Sequence, residues 1–389
     1  MSQTAVEKKS LNFFISGFRN DPMILAITVV ILAIGIVMVT SAGYMIASGK
    51  FGDGFYYTKR QGISMLIGLT LMFFLSRVNP NFWKESAGPV LGVGLLLMVL
   101  VFIPGIGIEL GGSRRWIRMP FGFFLQPSEL IKYALIIFFA HSLCKKGESI
   151  KSFTVGFVPH ILIIAFVILL VLIQPDFGSA VIITTVGFLM MFVAGVRITH
   201  LAGCSLLALP FLIHVGMSAQ YRLSRLKSFL DPWSDPLSSG FQIIQSLVAF
   251  GCGGLWGAGI GKGIQKLFYL PQPQSDFIFS VIGEELGLLG VTSVILLFSA
   301  LVTKGFMVSL RCQDPFNKYL AFGISSLLGI QALLNMAVAM GMLPTKGLPL
   351  PLISLGGTSL IVNLAGIGIL LSISGAEHQE TKDRKSCDC

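Results

Sequence analysis

The chain has 389 residues, of which 54% are hydrophobic and only 12% charged, and its mean hydropathy is +0.82. A soluble domain carries about a quarter charged residues, so a soluble globular fold is excluded and an integral membrane protein expected. The net charge of +10 then points to anionic membrane surfaces and ligands, with no nucleic-acid partner expected.

A membrane-crossing helix needs roughly 20 mostly apolar residues. Such runs lie near 22–48, 61–77, 88–106, 127–144, 154–173, 177–195, 199–217, 276–303, 319–343 and 352–374. The fold expected is therefore all-α, with about ten transmembrane helices. Residues 1–21 precede this membrane domain, which spans 22–374, and 375–389 form a tail. The first apolar run is too long for the core of a signal peptide, so no cleavage is expected. With the N-terminus inside, an even number of crossings puts both termini in the cytoplasm, with a weak excess of Lys and Arg on that side. On the outer side positive charge gathers at Arg114/Arg115/Arg118 and Arg222/Arg225/Lys227. Either an anionic ligand or lipid headgroups would answer it.

Between the third and fourth helices runs Gly111-Gly-Ser-Arg-Arg-Trp-Ile-Arg118, followed by Gln126-Pro-Ser-Glu-Leu-Ile-Lys132. Pro127, Ser128 and Glu129 make a helix start, with proline in the first turn and an acid at the positive end of the dipole. Lys132 lies one turn further in, inside the membrane, where it needs a carboxylate or phosphate. Asp276 and Glu129 are the favoured counter-ions, and snorkelling to the interface is the alternative.

The segment 218–275 is a long outer loop. Its first part is basic and aromatic. Phe241–Phe250 is apolar but too short to span, with Gln242, Gln245 and Ser246 along one side, suited to sugar hydrogen bonding or to solvation. Gly251–Gly263 then supplies seven glycines in thirteen residues. Such backbone cannot face lipid unsatisfied, so a re-entrant or interfacial helix followed by a glycine loop is expected. The glycines fit neither a P-loop nor a GxGxxG pattern, so nucleotide binding is not expected.

Leu270-Pro-Gln-Pro-Gln-Ser-Asp276 leads into the eighth helix, which carries Glu284 and Glu285. Intramembrane acids are functional candidates by default. Asp276 is the sharpest of the three, placed in the first helical turn at the mouth of a cavity. The two glutamates cannot share one helix face with it and are read as support or as structural pairs. Lys346 sits on the outer face beside Gly356-Gly357. The cysteines form no disulfide framework, with Cys387 and Cys389 in an unstructured tail, and the histidines show no metal-ligand spacing.

Taken together, the segments Gly111–Ile117, Gln126–Lys132, Gln174-Pro-Asp-Phe-Gly178, Arg222–Leu226, Phe229-Leu-Asp-Pro232, Gly240-Phe-Gln with Gln245-Ser-Leu, Tyr269-Leu-Pro, Ser275–Phe279, Gly283-Glu-Glu-Leu-Gly287 and Pro349-Leu-Pro with Gly356-Gly-Thr-Ser resemble the SEDS family of bacteria, the shape, elongation, division and sporulation proteins. Thr345-Lys-Gly347 and the Ser-Arg-Arg loop are more similar to the division-type member than to the rod-elongation one. The resemblance implies a ten-helix peptidoglycan glycosyltransferase of the cytoplasmic (inner) membrane, acting on lipid II at the outer face of that membrane, at the division septum. It implies as partners a class b penicillin-binding transpeptidase and other division proteins. Asp276 would be the catalytic base, and Arg114, Arg115, Lys132, Arg222, Gln245 and Lys346 would hold the substrate. Gln126, Ser128, Glu129, Glu284 and Glu285 would support them. No cofactor is firmly implied, and a divalent cation (Mg or Mn) is the one candidate to share in binding the pyrophosphate. Gln272 and Gln274 stand where the family carries Glu and His, and Leu355 where it carries Tyr. The alternatives are a lipid II flippase, the rod-elongation paralogue and a structural scaffold of the division machinery.

Overall fold

The computed structural model describes residues 21–110, 113–119, 124–217, 220–238, 240–267, 270–345 and 347–387. Among these, ten helices match the ten apolar runs one by one. They are α1 (Pro22–Phe51), α2 (Tyr56–Leu75), α4 (Ala87–Leu100), α5 (Pro127–Lys146), α6 (Val158–Ile173), α7 (Phe177–Val193), α8 (Ile198–Met217), α11 (Ile278–Arg311), α12 (Pro315–Ala339) and α13 (Gly357–Cys387). Between them lie three shorter helices, α3 (Pro80–Glu85), α9 (Gln220–Leu230) and α10 (Phe241–Gly253). By length and composition alone, five helices could cross a membrane, beginning at Pro22, Phe153, Ile278, Pro315 and Gly357.

Local chemistry sets the helix ends. Asp21 Oδ1 accepts the Met23 N–H at 2.9 Å with Pro22 in the first turn, and Gly52 closes α1 at φ 71°. These are the N-cap, N1 and C′ roles those residues favour. The tail, expected to be unstructured, continues α13 to Cys387, because its Glu, Lys and Arg are good helix formers.

Helices α12 and α13 form the centre. Their most apolar windows are 72% and 83% buried, against 28% for α11 and 33% for the span containing α6. Since lipid is as apolar as leucine, such helices associate through close packing over small residues. Gly366 of α13 lies against the Tyr133 ring of α5, where a Cβ would come within 2.1 Å.

One feature departs from the sequence reading. The third helix ends at Leu100 rather than near 106, and the chain then builds a small antiparallel sheet, β1 (Gly107–Leu110), β2 (Ser113–Arg118) and β3 (Phe124–Leu125), in the order β1-β2-β3. Leu110 pairs with Ser113, and the intervening Gly-Gly is a two-residue hairpin signal that outranks the apolar run before it.

For α10 the sequence left a re-entrant or an interfacial course open, and the helix descends beside α11. Ser246 Oγ meets Ser280 Oγ at 2.5 Å, Phe250 meets the Phe279 ring at 5.8 Å, and the Leu288 N–H reaches Gly254 O at 2.9 Å. At 1.5 Å per residue, Leu288 is about 15 Å down α11 from its start. The element is thus re-entrant. Gly287 breaks α11 there (φ 65°), and a Cβ on it would lie 2.4 Å from the Gly257 nitrogen, so both backbones need glycine to approach.

Candidate active site

Asp276 lies in the turn just ahead of α11 and not in its first helical turn as expected, because the helix begins at Ile278 with Phe277 as cap. Three successive carbonyls fix this turn. Gln274 O accepts the Leu355 N–H at 2.9 Å, Ser275 O accepts the Ser354 hydroxyl at 2.6 Å, and Asp276 O accepts Asn335 Nδ2 at 3.0 Å. The same Asn335 amide donates to Leu348 O at 2.6 Å, joining α12, the Asp276 turn and the segment leading to α13. Gln272 (φ 51°) and Leu352 (φ 64°) are left-handed non-glycine residues on either side of this junction. Strain of that kind persists only where surrounding contacts over-determine the backbone.

With its backbone so held, the half-buried Asp276 carboxylate faces Gly347, where a Cβ would stand 3.1 Å from Oδ2. Burial pushes its pKa up to about 6, against the opposing pull of the Ser275 hydrogen bond and of the Arg225 and Arg115 charges. Both guanidiniums are anchored on backbone. Arg225 of α9 donates to Thr345 O at 3.2 Å, and Arg115 of β2 donates Nε to Gln174 O at 2.9 Å and Nη2 to Pro175 O. One charge from the outer loop and one from the sheet thus act on the same carboxylate.

The other candidates fall elsewhere. Ser128 Oγ donates to Asp176 Oδ2 at 3.0 Å, and Gln126 Nε2 reaches Ser128 Oγ at 3.0 Å. These two brace Asp176, whose side chain caps α7 through the Ser179 N–H. Lys132 closes on Glu129 at 2.6 Å, with both side chains at most 4% exposed. Of the two counter-ions weighed for Lys132, the structure gives it Glu129. Arg114 points to Glu109 at 3.7 Å on the exposed hairpin. Gln245 is half-buried on α10, while its neighbour Ser246 is buried against α11 and Ala339 O. Glu284 accepts the N–H groups of Ile264 and Gln265 at 2.6 and 3.1 Å, and Glu285 binds Lys266 at 2.5 Å. The side chain of Arg222, and Lys346 altogether, lie outside the described residues.

Sequence reading passed over Asn335, Ser354 and Lys266. A lone Asn in an apolar helix was the available signal for the first.

Beside the site an apolar cavity of about 530 Å³ opens between α2, α4, α5 and α13. It is lined by Leu71, Val90, Ala134, Ile361 and Ala365, and Met119, Phe124 and Leu125 of the sheet end roof it. Arg60 stands over the Phe124 ring at 5.5 Å, at that same end. Among the described residues no group of three or more His, Cys, Asp or Glu could hold a metal ion. A magnesium ion arriving on a diphosphate would need only one or two protein carboxylates, and Asp276 could serve as one.

Residues 22–379 match the model of the cell cycle protein family FtsW/RodA/SpoVE. The "probable peptidoglycan glycosyltransferase FtsW" of Geobacter metallireducens is 51% identical over 356 residues, which cover 92% of this chain and 95% of that relative. A solved structure described as "Structural coordination of polymerization and crosslinking by a peptidoglycan synthase complex" superposes with a TM-score of 0.77 at 31% identity, covering 93% of this chain and all (100%) of the other. The rod shape determining protein RodA of Thermus thermophilus superposes with a TM-score of 0.68 at 28% identity, over 92% of this chain and 97% of its own. The chain therefore belongs to the FtsW/RodA/SpoVE family, the SEDS proteins its motifs resemble, and within that family to the FtsW type.

Proposed function

We propose that this chain is a peptidoglycan glycosyltransferase that polymerises lipid II into β-1,4 glycan strands for septal wall synthesis. The carrying observation is the position of Asp276: a half-buried carboxylate with a pKa of about 6, beside two anchored guanidiniums and close to an apolar cavity. The sheet-bearing end faces outward, both termini are cytoplasmic, and the membrane is the inner one. A polyprenyl chain occupies the cavity between α2, α4, α5 and α13. Arg115 and Arg225 take the diphosphate, whose negative charge grows as the glycosyl bond breaks. Asp276 accepts the proton of the acceptor 4-hydroxyl as that oxygen attacks the anomeric carbon and inverts it. A class b penicillin-binding transpeptidase and other division proteins are the partners, and the description of the structurally similar synthase complex supports pairing with a crosslinking enzyme.

The test is polymerisation of purified lipid II by the purified chain with its transpeptidase in proteoliposomes. Muramidase-sensitive strands are expected, and lipid II movement without strand formation would favour the flippase reading. Against that reading, the buried cations Lys132 and Lys266 are closed on Glu129 and Glu285, and the buried Asp176 and Glu284 are taken up by hydroxyl and backbone donors rather than spread along a path.

Two further outcomes are expected. Ala365→Phe, which fills the cavity, should raise the KM for lipid II and leave kcat nearly unchanged. An unaltered KM would place the tail elsewhere. Arg225→Ala removes a charge that favours the ionised carboxylate, so the acid limb of the kcat/KM profile should move to higher pH. The shift should stay below the roughly one to three units of a direct ion pair. A limb that stays in place would show that Arg225 does not act on Asp276.

A further inference from the structure

The glycine loop that returns from α10 to Asp276 has few side chains with which to hold itself, and seven glycines give it more backbone freedom to lose than any other residue type would. Its fixation comes from α11. Glu284 takes the N–H groups of Ile264 and Gln265, and Glu285 Oε2 takes that of Gly261 at 3.1 Å. The Ala258 and Gly259 N–H groups donate to the backbone carbonyls of the same two glutamates at 2.9 and 3.0 Å. Among the described residues, Lys266 is the side chain that the loop itself contributes to this clamp. Its ammonium sits 2.5 Å from Glu285 Oε1 and 2.8 Å from Ser41 Oγ of α1, and Ser41 in turn donates to Glu285 at 2.7 Å. The ion pair is at most 5% exposed.

Lys266 and Glu285 are 19 residues apart, and Asp276 lies close to the midpoint of the chain between them. Both ends of the segment that presents Asp276 are thus pinned to one point on α11, itself tied to α1. A buried pair of this sort is weak evidence for stability, since apolar residues of similar volume commonly do as well, but it can select a single arrangement. A misplacement of about 1 Å at a reacting group can cost on the order of a hundredfold in rate.

We propose that Lys266 is a positioning residue: by closing on Glu285 and Ser41 it sets the register of the returning loop and so the placement of Asp276 against the acceptor hydroxyl. This rests on the glycosyltransferase reading. The clamp acts on the geometry of the base and not on substrate affinity, so its loss should fall on kcat.

The experiment measures kcat, KM for lipid II and melting temperature with the transpeptidase present. The wild-type chain in the same assay tests the glycosyltransferase reading separately. Lys266→Met is expected to lower kcat at least about tenfold with KM within about twofold. The exchanged pair Lys266→Glu/Glu285→Lys should recover most of that loss. Ser41→Ala, a small change in a helix remote from the chemistry, should lower kcat about threefold at an unchanged melting temperature. Wild-type kcat in both Lys266→Met and Ser41→Ala would overturn the proposal, as would a folded exchanged pair that recovers melting temperature but not kcat. Should Lys266→Met fail to fold, Ser41→Ala and the exchanged pair decide alone.

Discussion

Asp276→Asn is expected to cut lipid II polymerisation by about 10²–10⁴-fold, the usual contribution of a positioned general base, while the protein still inserts and binds its transpeptidase. Asparagine keeps the shape, and the backbone carbonyls that anchor the turn are untouched, since the bonds from Leu355, Ser354 and Asn335 end on main-chain oxygens. The loss should therefore fall on kcat and leave the melting temperature near that of the wild type. The pH profile adds a second criterion. A base must be ionised to act, and this carboxyl, raised by burial to about 6, is mostly ionised above pH 7 and mostly protonated below pH 5. Wild-type kcat/KM should thus fall about tenfold per unit on the acid side of pH 6, and the residual rate of Asp276→Asn should lack that limb. Near wild-type polymerisation by the asparagine variant, or an acid limb that survives the substitution, would remove Asp276 from the chemistry.

Asp276 stood out as a candidate in the sequence because an acid close behind two prolines at the head of an apolar run has few bland explanations. The ten long helices were legible for a related reason: an apolar run is a one-dimensional signal. What escaped was whatever depends on pairing across the fold. Arg114 and Arg115 are adjacent in sequence and looked equivalent, yet strand alternation sends one to an exposed Glu109 and the other to the carbonyls of Gln174 and Pro175. Gln126 and Ser128 sit beside Pro127 at a helix start, but their partner is Asp176, far along the chain and visible only once α5 and α7 are side by side. Glu284 and Glu285 were weighed by their angle around a continuous helix. The turn at Asp276 is not helical, and both acids look instead to the glycine loop. The sheet was missed because its first strand follows directly on an apolar run, where length favoured extending the helix.

Lys132→Met should destabilise the membrane domain by about 3–5 kcal/mol, the cost of stripping one partner from a buried ion pair. The pair is among the most enclosed in the molecule: Lys132 and Glu129 face each other at 2.6 Å, one turn apart on α5, with side-chain exposures of 1% and 4%. Among the described residues Glu129 Oε2 has no hydrogen-bond partner, so the ammonium is the main group holding that charge. Sequence spacing alone allowed Lys132 to serve Asp276 instead, which would make those two residues thermodynamically coupled. The geometry assigns the coupling to Glu129. Glu129→Leu alone should strand the ammonium at a similar cost, whereas Lys132→Met/Glu129→Leu, which fills the same space without charge, should melt near the wild type or above it. The interaction term in that double-mutant cycle should reach a few kcal/mol, well beyond the few tenths within which independent sites add. Melting temperatures of the four proteins in detergent, with lipid II turnover recorded on each, provide the cycle. A double variant that is stable yet inactive would mean that the lysine charge also serves the substrate. Simple additivity of the two single losses would mean that Lys132 answers to a different anion, and the pairing with Glu129 would not be what keeps it in the membrane.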